Sequence, residues 1–201
     1  PLLERMRKVL RDWILETRDT GFMSEAEMHI RSEGSSPYET ARRPGKYPLE
    51  RILAAAELVG TTELPRIMRH LEDADGAARY WAVVALDALG ERAGPATAAL
   101  ERLLGDSHPN VRFAAAGVLC RLGRCDKPLN VLAEGLEDRR ETVVLYAARE
   151  IQRIGARACP IVERIKQAQA RQKKTDGSYR NNNHAMFIDW ALKYALANCQ
   201  R

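Results

Sequence analysis

Apolar residues recur along the chain at the spacing of helices that bury one face. In residues 110–123 a small residue, Ala115, is followed at i+4 and i+7 by Leu119 and Leu122, which places all three on one side of a helix. Two further stretches repeat this triplet with Ala82, Leu86 and Leu89, and with Ala147, Ile151 and Ile154. The pattern predicts first helices over 48–60, 77–90, 110–123 and 141–155.

Each of these stretches ends at a glycine, and a proline follows five residues later. The glycines are Gly60, Gly90, Gly123 and Gly155, and the prolines are Pro65, Pro95, Pro128 and Pro160. Successive glycines are 30, 33 and 32 residues apart, so the chain contains an internal repeat. Glycine adopts the left-handed backbone that ends a helix, and proline fits the first turn of the next one. Each unit is therefore predicted to be a helical hairpin.

The second helix of each hairpin also carries apolar residues at helical spacing. They are Ile67 and Leu71; Leu100, Leu103 and Leu104; Val131, Leu132 and Leu136; and Ile161, Val162 and Ile165. One hairpin cannot bury both of its apolar faces, whereas a stack of hairpins can. The small residues from Ala114 to Gly117 fit this interpretation, because they let neighbouring helices approach closely. The sequence predicts an all-α fold, a right-handed α-solenoid of about four hairpins over 48–170.

The segments on either side of the repeat have a different pattern. Residues 1–47 begin with an amphipathic helix, whose apolar face indicates that it docks on another surface. Its apolar face holds Leu3, Met6, Leu10, Trp13 and Ile14. Two Ser-x-x-Glu patterns, at Ser24 and Ser36, are typical of helix N-termini. Residues 171–183 are a basic polar linker, and residues 184–201 are predicted to be a helix that caps the solenoid.

The repeat resembles the HEAT family, in particular its short variant, the PBS-lyase HEAT-like repeat. The resemblance lies in the period, in the two helices per unit, and in the phrase Asp-Ser-His-Pro-Asn-Val-Arg at 106–112 before an alanine-rich helix. In that family the aspartate and the arginine help to join successive repeats. The resemblance implies this role for Asp73, Arg79, Asp106, Arg112 and Asp138. Val144 stands where the next arginine would be, and we expect the series to break there.

The N-terminal segment resembles a second family. The run LRDWILETRDTGFMSEAEMH, continuing through SEGSSPYETARRPGKYPLERILAAAEL, is similar to the C-terminal part of formylglycine-dependent sulfatases, where the hydrolase domain leads into a helical repeat extension. The resemblance implies a parent enzyme that cleaves sulfate esters with a calcium-bound active site. The chain begins at Pro1, already within a helical pattern, and we expect it to be a fragment of such a protein.

Catalysis by this chain itself is not expected. In sulfatases the formylglycine is made from a Cys/Ser-x-Pro-x-Arg motif, and the nearest string, Ser35 to Glu39, has glutamate where arginine is required. The histidines, at 29, 70, 108 and 184, are dispersed, and acidic residues near His29 are explained by the enrichment of acids at helix starts. We therefore expect no catalytic residue, no metal site and no cofactor.

The cysteines leave the redox state open. Cys120, Cys125, Cys159 and Cys199 show neither a Cys-x-x-Cys pair nor a zinc-ligand spacing with histidine. Buried or half-exposed thiols are the expectation, and a Cys120–Cys125 pair in an oxidising compartment is the alternative. Cysteine usage does not assign a compartment; the sulfatase resemblance implies a periplasmic or secreted protein.

Positive charge is concentrated in one segment. Residues 156–180 carry seven basic and two acidic residues, an excess equal to the formal net charge of +5 for the whole chain. Such a segment attracts polyanions, a sulfated polysaccharide among them, although a solvated, mobile linker is the favoured explanation. The candidate contacts are Arg164, Lys166, Arg171, Lys173, Lys174 and Arg180.

Three functions follow from these patterns. The first is a non-catalytic accessory or interaction domain of a sulfatase, whose partner is the upstream catalytic domain or another protein. The second is a free-standing HEAT-repeat scaffold that binds proteins. The third is a polyanion-binding or nucleic-acid-binding module, which ranks last because Tyr179 is the one aromatic residue within 156–180. No membrane partner is expected, because no apolar run approaches the roughly 20 residues of a membrane span.

Overall fold

A computed structural model describes residues 1–180 and 183–200, and over those residues the chain is an all-α solenoid. The helices are α1 (Leu2–Thr17), α2 (Glu25–Arg31), α3 (Pro37–Arg42), α4 (Leu49–Ala56), α5 (Leu64–His70), α6 (Gly76–Leu89), α7 (Thr97–Leu103), α8 (Pro109–Arg121), α9 (Asp126–Gly135), α10 (Glu141–Ile154), α11 (Val162–Ala170) and α12 (Asn183–Asn198). Short 3-10 helices cover Thr20–Phe22, Gly90–Ala96 and Gly155–Ile161. The all-α solenoid predicted from the sequence is confirmed.

The hairpins stack through their first helices. In chain order the repeat units are the pairs α4/α5, α6/α7, α8/α9 and α10/α11, and α4, α6, α8 and α10 each pack on the next in that order. Helix α12 packs on α10 and α11, so it extends the row of first helices by one. The first helices therefore form a continuous surface across the solenoid.

The repeat glycines have the backbone that the sequence predicts. Gly60, Gly90, Gly123 and Gly155 have φ of 81°, 59°, 82° and 62°. Pro65 and Pro128 lie in the first turns of α5 and α9. Pro95 and Pro160 lie instead in the 3-10 helices that lead into α7 and α11. The glycine and the proline therefore form the bend of every hairpin, although two of the bends include an additional 3-10 turn.

The first two residues of each apolar triplet lie in the core. Ala82, Ala115 and Ala147 are fully buried, as are Leu86, Leu119 and Ile151 one turn later. The small residues from Ala114 to Ala116, together with Gly117, are buried within α8. Two core clusters, one in the earlier and one in the later repeats, meet at Leu104. The packing of neighbouring repeats thus buries the faces that a single hairpin would leave exposed.

Helix α1 packs on the rest of the chain only near its C-terminal end. Ile14 is its one buried residue, whereas residues 1–10 are all exposed. Leu3, Met6, Leu10 and Trp13 of the predicted apolar face are 55–61% exposed. Ile14 and Leu15, near the C-terminal end of α1, are the residues that pack with Tyr47 and α4.

The helices that follow α1 are capped as predicted. Ser24 Oγ accepts a hydrogen bond from the backbone N–H of Glu27, and Ser36 Oγ accepts one from Glu39. Arg18, which ends α1, has φ of 52° and donates to the carbonyls of Ala41 and Tyr47. These bonds close residues 18–47 into a loop.

The cysteines are paired in two disulfides, so the expectation of thiols is wrong. Cys120 and Cys125 lie on either side of the turn at Gly123, with Cα atoms 4.3 Å apart. Cys159 and Cys199 are 40 residues apart in sequence, and their Cα atoms are 5.3 Å apart. The second pair forms because α12 packs against the 3-10 helix at Gly155–Ile161.

The segment predicted as a basic linker is a closed turn over its described part. A β-bridge joins Lys173 and Tyr179, and Asp176 accepts hydrogen bonds from Ser178 within the turn. Asn181 and Asn182 of the predicted linker, and Arg201 of the predicted capping helix, lie outside the described residues.

Candidate interaction surface

Helix α2 lies on the surface formed by α6, α8, α10 and α12, called here the first-helix face. Ala26 of α2 is buried in the same core cluster as Phe113 and Ala147. Tyr146 of α10 and Glu25 at the start of α2 line the same groove. A segment that precedes the repeats in sequence therefore occupies part of the solenoid surface.

A buried ionic network fixes α2 in this position. Glu27 is fully buried and accepts hydrogen bonds from Arg31 Nε at 2.5 Å and from His108 Nδ1 at 2.8 Å. Arg31 also donates two bonds, both of 2.8 Å, to the carboxylate of Asp75 at the start of α6. Burial opposes ionisation of Glu27, but the bonds from His108 and Arg31 outweigh it and lower the pKa of this carboxyl. The network joins α2 to two successive repeats.

Two further histidines, His184 of α12 and His29 of α2, lie near the carboxylate of Glu25. His184 Nε2 lies 3.0 Å from Glu25 Oε1, and His29 Nε2 lies 3.8 Å from the same oxygen. Within the described part of the chain, no group of three or more His, Cys, Asp or Glu side chains is placed to hold a metal ion.

Farther along the first-helix face, two arginines and two acids connect three repeats. Arg121 Nε donates to Asp87 at 2.6 Å, and Arg153 donates to Glu150 at 2.7 Å and also to Asp87. Glu150 is 8% exposed, and burial raises its pKa in spite of the charges of Arg153 and Arg121. Because the acids and the arginines lie on α6, α8 and α10, the group fixes the register of these helices.

An aromatic groove lies between this group and α2. It has a volume of about 640 Å³, and Tyr80, Tyr146, Phe187 and Trp190 are its aromatic lining residues. Phe187 and Trp190 meet edge to face with ring centroids 5.8 Å apart, and they are 46% and 53% exposed. Arg149 of α10 also lines the groove.

No single sequence motif identifies this groove. Its aromatic residues come from three helices that are far apart along the chain, so no local motif contains them. A weak signal was present in α12, where the spacing of Phe187, Trp190 and Tyr194 places three aromatic residues on one side of the helix.

The residues assigned to inter-repeat contacts lie together at the starts of the first helices. Arg79 donates two hydrogen bonds, of 2.7 and 2.8 Å, to the carboxylate of Asp106 in the next repeat. It also donates to the carbonyl of Asp73, and Arg112 donates in the same way to the carbonyl of Asp106. The next carboxylate, Asp138, differs because it accepts two bonds from the guanidinium of Arg140 in its own loop.

The hydrogen bonds from an arginine to the aspartate of the next repeat therefore end at the Arg79–Asp106 pair. This is one repeat earlier than the break expected at Val144. Arg140 lowers the pKa of Asp138 through its hydrogen bond, and Arg112 contributes through its charge. In the other direction the series includes Arg51, whose Nε lies 3.4 Å from Asp73.

The residues assigned to polyanion contact are largely paired with acids. Arg164 lies 2.6 Å from Glu137, Lys166 lies 2.8 Å from Glu163, Lys173 lies 3.8 Å from Asp189, and Arg180 lies 3.3 Å from Glu141. Arg171 donates to the carbonyl of Leu136, and the backbone of Lys174 bonds with Ser178. Arg171 and Arg180 line a small cavity of about 360 Å³ that also contains Glu137, Asp138 and Glu141. The acids offset much of the positive charge of this segment.

Comparison with known proteins identifies the repeat. Residues 64–152 match the family model of HEAT repeats, and no curated protein matches the chain. None of the helices that the structure describes is long and apolar enough to cross a membrane. HEAT repeats are helical scaffolds that mediate protein interactions. With its stacked hairpins and matching sequence, the chain carries HEAT repeats over residues 64–152.

Proposed function

We propose that this chain is a non-catalytic HEAT-repeat interaction domain and that the aromatic groove of the first-helix face binds a segment of another protein. The observation that carries the proposal is the half-exposed Phe187–Trp190 pair beside Arg149. Tryptophan, tyrosine and arginine are the residue types that contribute most to protein binding sites. In the groove they are held on the packed helices α6, α10 and α12, which supports a preformed site.

The groove proposal is tested by photo-crosslinking in the source cells. A photoreactive amino acid replaces Trp190 in one variant and Arg102, an exposed residue of α7, in another. We expect one discrete crosslinked protein at position 190 that is absent at position 102. The same products from both positions, or none at position 190, would contradict a binding site in the groove.

We propose further that the domain belongs to the C-terminal part of a sulfatase. The exposed apolar face of α1 supports this, because Leu2, Leu3, Met6, Val9, Leu10 and Trp13 are each more than half exposed. An upstream catalytic domain would cover this face. A second groove, of about 620 Å³ between α1 and α4, adjoins it and contains Arg7, Leu10 and Arg11. The two disulfides support a periplasmic or secreted location, where such bonds persist.

The sulfatase proposal is tested with the natural gene and with an activity assay. We expect the reading frame upstream of Pro1 to encode a Cys/Ser-x-Pro-x-Arg motif, and the longer protein to hydrolyse an aryl sulfate in the presence of calcium. The chain described here should not hydrolyse it. A start codon immediately before Pro1 would favour the free-standing scaffold instead, with the groove proposal unchanged.

The polyanion alternative receives less support. Four of its six candidate residues lie within 4 Å of carboxylates, so an anionic ligand would have to compete with those acids. Binding of a sulfated polysaccharide that weakens steeply with salt, and that disappears when Arg171, Lys173 and Lys174 are changed to alanine, would restore this alternative.

A further inference from the structure

We infer that the aromatic groove recognises an acidic peptide segment, with a carboxylate bound to Arg149 and an adjacent large apolar side chain packed against the groove aromatics. The inference rests on the proposed function and names the class of partner for that site.

Arg149 projects from the middle of the α10 wall of the groove. Leu145 and Tyr146 on the preceding turn and Gln152 on the following turn line the same groove. Arg149 is exposed, and its Nη1 donates to the side-chain oxygen of Gln152 at 2.7 Å. An amide is neutral, so this bond leaves the positive charge of the guanidinium uncompensated. A guanidinium binds a carboxylate with two parallel hydrogen bonds, which makes it suited to acidic ligands.

The two carboxylates that line the groove are already engaged elsewhere. Glu25 lies 3.0 Å from His184. Glu150 accepts a bond from Arg153, and its other oxygen lies 3.6 Å from Arg121 on α8. Among the described residues that line the groove, Arg149 is the one cation, and neither carboxylate is paired with it.

The first-helix face already binds an acidic segment of this chain. Helix α2 begins with Glu25 and Glu27, and these acids pair with His184 and His108 on the face while Ala26 enters the core. Glu25 also lines the groove, so the groove continues the surface that α2 occupies. A partner that places acids and an apolar residue in the same way would extend an existing mode of packing along the face.

The experiment compares three synthetic peptides of one length. Glutamate residues flank a Leu-Phe-Leu core in the first, and glutamine or lysine residues replace them in the second and third. Fluorescence anisotropy measures binding of each labelled peptide to the whole chain. The variants are Arg149→Gln in the groove, Trp190→Ala in the groove, and Arg102→Gln as a control on α7. Circular dichroism checks that each variant remains helical.

We expect the glutamate peptide to bind most tightly and the lysine peptide least. Arg149→Gln should weaken binding of the glutamate peptide about tenfold, the usual scale for a lost charge-assisted contact, while leaving the glutamine peptide unchanged. Trp190→Ala should weaken binding of both the glutamate and the glutamine peptide. Arg102→Gln should change the binding of neither peptide.

Two results would overturn the inference. Equal binding of the glutamate and glutamine peptides, with no effect of Arg149→Gln, would exclude acid recognition while leaving the groove as an interaction site. No binding of the glutamate peptide would also exclude it, and the crosslinking at position 190 would then decide separately whether the proposed function survives.

Discussion

The carboxylate of Glu150 occupies the space that a side chain at Gly117 would need. A Cβ built on Gly117 would overlap Glu150 Oε2 and would lie 3.2 Å from Arg121 Nη2. Glycine at this position therefore makes room for a buried carboxylate from the next repeat. The run of small residues in α8 has two purposes, because Ala114 to Ala116 allow helix packing whereas Gly117 accommodates an ionic contact.

Replacement of this glycine by alanine should destabilise the protein. In an ordinary helix interior Gly→Ala stabilises by about 1 kcal/mol. Gly117→Ala should instead lower the free energy of unfolding by about 1–3 kcal/mol, because the new methyl group displaces Glu150 from a packed site. Urea unfolding measures the change. In a Glu150→Ala background the same substitution should become neutral or stabilising.

Gly105→Ala serves as the matched control for this prediction. A Cβ there would have an ordinary contact of 3.7 Å with the carbonyl of Arg102, so we expect little change. Equal destabilisation at positions 105 and 117, or destabilisation at 117 that persists without Glu150, would show that the carboxylate is not the cause.

The contact between Arg79 and Asp106 should contribute far more to stability than an exposed ion pair. Their side chains are 12% and 5% exposed, so Arg79→Ala leaves a buried carboxylate without its bidentate partner. We expect a loss of about 3 kcal/mol in the free energy of unfolding. Arg66→Ala, which breaks a pair with Glu63 that is about half exposed, should cost less than about 1 kcal/mol. Similar losses in both variants would contradict a special role of the inter-repeat pair.

The fold could be predicted because the signals that encode it are local and repeated. A glycine with positive φ and a proline five residues later recur in each hairpin, and both act through their own backbone. The apolar triplets then identify the buried faces. Contacts between distant segments carry no such signal, which is why the Cys159–Cys199 bond and the bond between Glu27 and His108 could not be derived from spacing.

The surroundings of the candidate site could not be predicted from the sequence either, because they also depend on contacts between distant segments. Amphipathic spacing identifies the apolar face of α1 but not what covers it: Ile14 is buried within the chain, whereas Trp13 on the same face is 55% exposed. Likewise, charge counting identified residues 156–180 as basic, but the carboxylates that pair with Arg164 and Arg180 come from α9–α10 and their loop. Arg149, whose hydrogen-bond partner is neutral, lies outside that segment.

Stability should fall in acid because Glu27 is held ionised. Its pKa is lowered in the folded protein, so the unfolded chain takes up the proton first. The stabilisation is present above the ordinary glutamate pKa of 4.5 and is lost as the pH falls through the lower folded value. Urea unfolding between about pH 6 and about pH 3 should show this loss.

The variant Glu27→Gln isolates the contribution of this carboxylate. We expect Glu27→Gln to be less stable than the wild type at neutral pH, because the partners Arg31 and His108 lose their anion. The variant should also lose less stability on acidification. Glu163→Gln, at an exposed position, should follow the wild-type curve. A Glu27→Gln curve parallel to that of the wild type would assign the acid sensitivity to other carboxylates, such as Asp75 and Asp106.

The disulfide between Cys159 and Cys199 should stabilise the solenoid more than the Cys120–Cys125 bond, because it closes a longer loop. The sequence separations are 40 and 5 residues, for which loop entropy gives about 4 and about 2 kcal/mol. Replacing each pair by alanine and measuring urea unfolding tests this order. A thiol assay on the denatured, unreduced chain should first find no free thiol.

Loss of the Cys159–Cys199 bond should also speed hydrogen exchange in α12, because this bond holds the C-terminal end of α12 against the last hairpin. Loss of the Cys120–Cys125 bond should leave hydrogen exchange in α12 unchanged. Four free thiols would show that α12 is held by packing alone. Equal losses of stability would contradict the predicted order of the two disulfides.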